Sequence, residues 1–184
     1  MIPSLKFIEG IKRCEVNAFN CFTEAYKSYE QGDIRQAYFF GILALEEAGK
    51  AGFIMDKMSQ PQISRKEWGD RESFMSHAAK LTRAREIFRQ DILDELQKSF
   101  PGLRGIRPAL IGWSNEELER LWDYRNKVLF TGYDFDKGEW KSPQDILDLE
   151  NRTFDVLDKA QSAFLALESQ LVEMGIPTEL TKIV

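Results

Sequence analysis

Residues 37–52 read AYFFGILALEEAGKAG, and this stretch decides the fold class. On a helical wheel its small side chains form one stripe, made of Ala37, Gly41, Ala44, Ala48 and Gly52. The opposite arc carries larger apolar side chains, namely Phe39, Leu43, Phe53 and Ile54. A helix that is apolar nearly all round is typical of the buried centre of a bundle. We therefore expect another helix to approach closely along the small-residue stripe.

Helical periodicity and helix end signals predict further helices on both sides of this central one. The predicted helices span about 4–30, 34–58, 64 or 70 to 100, 114–130 and 142–174. Asp33 with Gln36, and Ser114 with Glu117, have the spacing of capping boxes at two of the helix starts. Residues 131–141, TGYDFDKGEWK, are aromatic and rich in turn formers, which predicts a short hairpin around Gly138. The expected fold is all-α, one domain over residues 1–184 with about five helices.

The composition fits an ordinary soluble domain: 184 residues, 43% hydrophobic, 30% charged, and a net charge of −5. Acidic and basic residues are interspersed, so no broad attraction to nucleic acid or to a membrane is expected. Cys14 and Cys21 lie about two helical turns apart, too far for a disulfide, and are expected to be reduced thiols. The start lacks the features of a signal peptide and no apolar run is long enough to span a membrane, which favours the cytoplasm.

Three charged residues, Glu46, Glu47 and Lys50, interrupt the apolar central helix. Burying them without partners would cost several kcal/mol per ion, so they must form ion pairs or face a cleft. Glu46 and Lys50 are four residues apart in the favourable order, and a simple structural ion pair is one interpretation. The other is a working site, which would need a further acid, base or cation close by.

His77, the only histidine, is the candidate for that further group, and Lys80 shares its helix face. A single histidine is more often a packed, hydrogen-bonded side chain than a catalyst, so both interpretations remain open. The sequence has no His-Glu-x-x-His, no Cys-x-x-Cys, no P-loop and no glycine-rich dinucleotide turn. Glu46 and Glu47 point 100° apart and make a poor paired metal site. We therefore expect neither a metal nor a cofactor.

Three segments in order along the chain resemble the AbiV family of abortive-infection proteins, within the HEPN superfamily of helical domains. They read ILALEEAGKA (42–51), FMSHAAKL (74–81), and RNKVLFTGYD (125–134) followed by GEWKSP (138–143). The resemblance implies a HEPN-like helical bundle, commonly a homodimer, which many defence proteins and toxins use as a metal-independent RNase. It implies an antiphage role, in which the protein acts on RNA or on the translation machinery and a phage protein activates or inhibits it.

In that superfamily an Arg and a His four to six residues apart carry the cleavage. The usual Arg-Asn-x-x-x-His pattern falls on Arg125 and Asn126, but its histidine position is Phe130 here. Arg71 and His77 form an alternative pair. His77 would then deprotonate a ribose 2′-OH, with Arg125, Arg71 or Lys80 stabilising the charged phosphorane. Glu46 or Glu47 would orient His77.

A second hypothesis is a catalytically inactive HEPN-like module that binds a phage or host protein or a nucleotide, and Phe130 favours it. Lys50, Lys80 and Arg125 would then serve as binding residues. Tyr133 and Asp134, in the aromatic segment, would cover the site or contact a partner, although aromatic residues at a helix junction more often secure packing. Whether His77, Arg125 and the 46–50 patch meet at an open cleft distinguishes the two hypotheses.

Overall fold

The structure, a computed structural model, describes residues 4–58, 76–87, 114–129, 132–134, 138–141 and 148–179. Within these ranges the chain forms five helices and one pair of short strands. In order they are α1 (Ser4–Glu30), α2 (Ile34–Met58), α3 (His77–Ile87), α4 (Asn115–Leu129), β1 (Gly132–Asp134), β2 (Glu139–Lys141) and α5 (Leu149–Glu173). The predicted all-α helical bundle is confirmed.

A tight turn joins α1 to α2 as an antiparallel hairpin. Gly32 adopts a left-handed conformation, with φ of 79°, which glycine tolerates without strain. The Asp33 N–H then reaches the Ser28 carbonyl at 2.8 Å, which closes the end of α1. An Asp33 carboxylate oxygen accepts the Gln36 N–H at 3.2 Å and caps the start of α2. Both helix ends lie where the sequence predicted them.

α2 is the central helix and packs against α1, α3, α4 and α5. Its small-residue stripe is covered within the chain. A Cβ atom on Gly41 would lie 2.7 Å from Val156 of α5, and one on Gly52 would lie 2.7 Å from Ile87 of α3. Because α5 and α3 occupy this stripe, it offers no surface to a second copy of the chain and lends no support to a homodimer.

Local backbone chemistry determines where α3 and α5 begin. Ser76 is the N-cap of α3, because its hydroxyl accepts the Ala79 N–H at 3.2 Å, and His77 is therefore the first helical residue. α5 begins at Leu149 because Asp148 adopts a left-handed conformation, with φ of 61°, which breaks the helical path. The predicted starts at 64, 70 and 142, and the predicted extension of the third helix to Phe100, lie outside the described residues.

Polar contacts at the far end of α3 fix its position on the bundle. The Arg83 guanidinium donates two hydrogen bonds to the Asp56 carboxylate of α2, at 2.8 and 2.6 Å. The Gln170 amide of α5 donates to the Ile87 carbonyl at 3.0 Å. With this end held by α2 and α5, the first turn of α3 lies beside the middle of α2, where Glu46 is buried.

Two short strands follow α4, within the segment for which a hairpin was predicted. Residues 135–137, which would form its turn, lie outside the described residues, so the hairpin stays a prediction. β1 and β2 pair antiparallel, with Gly132 opposite Lys141 and Tyr133 opposite Trp140. Gly138 precedes β2 with φ of 67°. The side chains of Tyr133 and Asp134 lie outside the described part of the structure. Among the helices described, none has the length and apolar character that crossing a membrane requires.

Candidate functional site

His77 and Glu46 form a hydrogen-bonded pair between α3 and α2. His77 Nδ1 lies 2.8 Å from Glu46 Oε2, with 40% of the histidine side chain exposed but only 4% of the glutamate side chain. An ionised carboxylate only accepts hydrogen bonds, so with Glu46 ionised the contact requires the tautomer that has its proton on Nδ1 and its lone pair on Nε2. The buried carboxylate therefore fixes the orientation and the tautomer of a ring that still reaches solvent.

Lys80, one turn after His77, completes a charged cluster with these two residues. Its Nζ lies 3.1 Å from Glu46 Oε2 and 3.4 Å from His77 Nδ1, and its side chain is 6% exposed. The opposite charges of Lys80 and Glu46 neutralise each other inside the bundle. Glu46 Oε1 is buried, and among the described residues it has no hydrogen-bond partner.

An aromatic residue of α4 connects His77 with Arg125. The Trp122 ring stacks on the His77 ring, with centroids 3.7 Å apart and planes 14° apart. The Arg125 guanidinium carbon lies 4.3 Å from the Trp122 ring centre and 5.2 Å from that of Phe39. Arg125 Nε is buried without a hydrogen-bond partner among the described residues. The indole thus contacts both an imidazole and a guanidinium.

The structure separates the two adjacent glutamates of α2 and corrects the predicted ion pair. Glu47, not Glu46, is paired with Lys50, and Asn17 of α1 donates to Glu47 Oε2 at 3.4 Å. Burial raises the pKa of the Cys14 thiol of α1 to about 12, and the negative charge of Glu47 adds to this rise. Glu47 and Lys50 therefore face α1, while Glu46 faces α3. The reason is the 100° turn per residue of an α-helix.

The remaining predicted site residues are not part of this arrangement as the structure describes it. Asn126 is exposed on α4, next to Arg125 in the sequence. Arg71 and Phe130 lie outside the described residues, as do the side chains of Tyr133 and Asp134. The structure thus brings together His77, Glu46, Lys80 and Arg125, and it places Glu47 and Lys50 on another face of α2.

Sequence reasoning missed Trp122 as a member of the site. The available signal was its spacing: Trp122 and Arg125 are three residues apart, so they share a face of a predicted helix. No pattern in the sequence aligns that face with the start of α3, since residues 88–114 separate the two helices. We name Glu46, His77, Lys80, Trp122 and Arg125 the His77 cluster.

The His77 cluster has the groups needed for proton transfer beside an anion. The imidazole presents Nε2 as a possible base, and the Glu46 carboxylate behind it holds the ring through Nδ1. The Arg125 guanidinium supplies a permanent positive charge with several N–H donors. Among the described residues, no three His, Cys, Asp or Glu side chains are arranged to hold a metal ion.

Comparison with known proteins adds the family. The HEPN_AbiV family model, described as AbiV, matches residues 6–156, which is more than half of the chain. This range contains α1 from residue 6 onward, α2 to α4, and every residue of the His77 cluster. Neither the curated proteins nor the solved structures gave a match to the chain. On the family match, the chain belongs to the AbiV family of HEPN domains.

Proposed function

We propose that this protein is a cytoplasmic effector of abortive infection that cleaves RNA without a metal ion, with His77 as the general base. The observation that carries the proposal is the His77–Glu46 pair: a half-exposed imidazole held through Nδ1 by a buried carboxylate, with Nε2 as its basic atom. A carboxylate behind a histidine is a recurrent arrangement in hydrolytic sites. Membership of the AbiV family supports the biological role.

The proposed reaction needs no group beyond those of the cluster and the RNA. His77 Nε2 takes the proton of a ribose 2′-OH, and the O2′ atom attacks the adjacent phosphorus. The bond from phosphorus to the 5′-oxygen breaks, and that oxygen accepts a proton from the imidazolium. The products are a 2′,3′-cyclic phosphate and a 5′-hydroxyl. Glu46 holds the ring in position through Nδ1 during both proton transfers.

Arg125 is better suited than Lys80 to stabilise the charged phosphorane. Lys80 is buried and its charge is already neutralised by Glu46. Arg125 is partly exposed and lies against Trp122 and Phe39, so its guanidinium is held in place without being neutralised by a carboxylate of the described residues. Such a preorganised cation is effective because it needs little reorganisation when charge develops on the phosphate.

Trp122 can support a second candidate function, the binding of a nucleotide or protein without cleavage. Phe130 at the usual histidine position of the superfamily favours this alternative. The stacked rings of His77 and Trp122 would then form a recognition surface rather than a proton-transfer site. For both candidate functions, we also propose that a phage protein activates or inhibits the effector. We further propose that the protein assembles as a homodimer.

The test is cleavage of a defined single-stranded RNA by purified protein, in the presence of a chelator. His77→Asn keeps a donor toward Glu46 but removes the base, and we expect activity to fall about 10²- to 10⁴-fold. Arg125→Ala should lower it about 10²-fold or more, since one preorganised donor to the developing charge is lost. Phage protection in cells should fall with the same two variants.

Arg13→Ala is the matched control, because Arg13 is an exposed arginine of α1 whose side chain is 76% accessible and whose ion-pair partner is Glu9. Its activity should equal that of the wild type. The nuclease hypothesis would be refuted if the wild-type protein protected cells from phage while leaving RNA intact, and if His77→Asn kept that protection. Protection lost in Trp122→Ala but retained in His77→Asn would support the binding module.

A further inference from the structure

A small pocket lies on α4 beside the His77 cluster. It has a volume of about 170 Å³, and Tyr38, Leu121 and Tyr124 form its apolar and aromatic part. The Tyr38 hydroxyl donates to the Leu121 carbonyl at 3.3 Å, so this buried side chain is fixed. Arg120 and Arg152 bring two guanidinium groups to the same pocket.

The two arginines of the pocket are available to an anion. The Arg152 guanidinium carbon lies 4.2 Å from the Tyr124 ring centre, and no carboxylate of the described residues lies within ion-pair distance of it. Stacking on the ring holds the guanidinium plane while its N–H edges stay free to donate. Arg120 meets Glu116 at 3.5 Å, but both side chains are more than 70% exposed, so this pair is easily exchanged.

Glu117 and Asp155 also line the pocket, and their charges would repel an anion. Both carboxylates already have partners. Glu117 accepts the Ser114 N–H at 2.7 Å as part of the capping box, which holds the pKa of its carboxyl below the usual range. Asp155 forms an ion pair with Lys159 one turn along α5. Their negative charge is therefore partly compensated by a helix N-terminus and by a lysine.

The pocket and the His77 cluster lie on neighbouring faces of the same two helices. On α4, Leu121 and Tyr124 line the pocket, while the next residues, Trp122 and Arg125, belong to the cluster. On α2, Tyr38 lines the pocket and Phe39 lies under Arg125. A helix with its side chains is about 10 Å across, so a strand of a few nucleotides can contact both faces of α4.

Building on the proposed function, we propose that this pocket is a phosphate-binding subsite for the RNA backbone, in which Arg152 and Arg120 hold a phosphate a few nucleotides from the cleaved bond. A pocket of this volume is large enough for one phosphate group. The chemistry recognised is a phosphodiester or a free phosphate. The subsite would position the strand, while the proton transfers occur at His77.

Binding and cleavage are measured separately to test the subsite. The probe is a fluorescein-labelled 12-nucleotide single-stranded RNA. The protein carries His77→Asn, so that the RNA is not cleaved during the measurement. Binding is followed by fluorescence anisotropy at several salt concentrations. Adding Arg152→Ala should weaken binding about five- to tenfold, the effect of losing about one charge-assisted hydrogen bond. The slope of log K against log salt should fall by about 0.7, the value for one phosphate contact on a single strand.

Two further proteins make the result specific. Arg13→Ala in the same background should match its parent in affinity and slope, and Arg152→Lys should keep the slope while recovering part of the affinity. Unchanged RNA affinity and slope in Arg152→Ala, with circular dichroism showing a folded chain, would overturn the subsite and leave the proposed nuclease untouched. Inorganic phosphate bound through Arg152 without any RNA binding would instead assign the pocket to free phosphate and overturn the RNA assignment.

Discussion

Glu46 is the residue on which the His77 cluster depends, because one of its oxygens contacts both His77 and Lys80. A buried ion pair adds little net stability, but the loss of one partner leaves the other charge buried and uncompensated. The structural role and the proposed positioning role of Glu46 therefore involve the same atom. They are separated by measuring stability and activity in the same variants.

Glu46→Gln keeps the shape of the side chain and removes its charge, so the Lys80 ammonium loses its counterion. We expect the free energy of unfolding, measured with urea, to fall by about 3 kcal/mol. Adding Lys80→Met to the same chain removes the uncompensated charge and should recover at least half of that loss. Glu24→Gln is the control, because Glu24 is half-exposed and paired with Lys27, and its cost should stay within about 0.5 kcal/mol. Equal costs for Glu46→Gln and Glu24→Gln would contradict the buried pair.

Cys14 gives a prediction about alkaline stability, since burial raises the pKa of its thiol to about 12. The unfolded chain loses the thiol proton near pH 8.5, while the folded chain keeps it, so the folded state binds more protons above that pH. This contribution to stability is complete below about pH 8.5 and is lost as the pH rises toward 12, at no more than about 1.4 kcal/mol per pH unit.

Cys14→Val removes this titration and keeps an apolar side chain of similar size. The difference in unfolding free energy between the variant and the wild type should therefore shift in favour of the variant from pH 8.5 to 10.5. The same measurement with Cys21→Val provides the comparison, since Cys21 is less buried, although burial raises its pKa too. A difference that stays constant over this pH range would show that the Cys14 thiol titrates normally in the folded state.

Among the elements, α2 and α3 approach each other closely at Gly49. A Cβ atom there would lie 1.9 Å from the Lys80 carbonyl oxygen, a backbone atom that cannot move without moving α3. Gly49→Ala should therefore destabilise the fold by about 3 kcal/mol. The added methyl group should also push α3 away from α2. Because His77 is on α3, this movement should separate His77 from Glu46 and lower any His77-dependent activity.

Gly10→Ala is the control for this prediction, because it puts the same methyl group on a helix that has room for it. A Cβ on Gly10 would lie 3.4 Å from a terminal carbon of Ile54, an ordinary contact, and alanine favours the helix over glycine. The free energy of unfolding, measured with a chemical denaturant, should therefore fall in Gly49→Ala and stay equal or rise slightly in Gly10→Ala. A Gly49→Ala protein as stable as Gly10→Ala would contradict the close packing of α2 on α3.

The sequence predicted those features that depend on local chemistry, and it failed where the register between distant segments decides. Gly32, Asp33, Ser114 and Glu117 encode helix ends in a few residues, and these ends lie where they were predicted. The partner of Glu46 depends instead on how α3 lies against α2, which no spacing within α2 reveals. The small-residue stripe likewise predicted a close approach but not that both α5 and α3 would make it.

At the scale of the whole molecule, the site joins helices with different amounts of support. Within the part of the chain that the structure describes, α2 packs against the four other helices, whereas α4 packs mainly against α2 and α3. The cluster takes Glu46 from α2, His77 and Lys80 from α3, and Trp122 and Arg125 from α4. Helices with fewer buried contacts open more readily, so local opening of α4 would remove the indole and the guanidinium from His77.

Hydrogen exchange followed by mass spectrometry can test this order of opening. Peptides from α2 should exchange last, at the rate set by global unfolding, and peptides from α4 should exchange earlier. Adding the 12-nucleotide RNA to His77→Asn protein should slow exchange in α4, because a strand bound to both the cluster and the Arg152 pocket contacts two faces of this helix. The α1 peptides serve as an internal control, since α1 contributes no residue to either site. Equal exchange of α2 and α4 would mean that the bundle opens as one unit, so that α4 could not control access to His77 by itself.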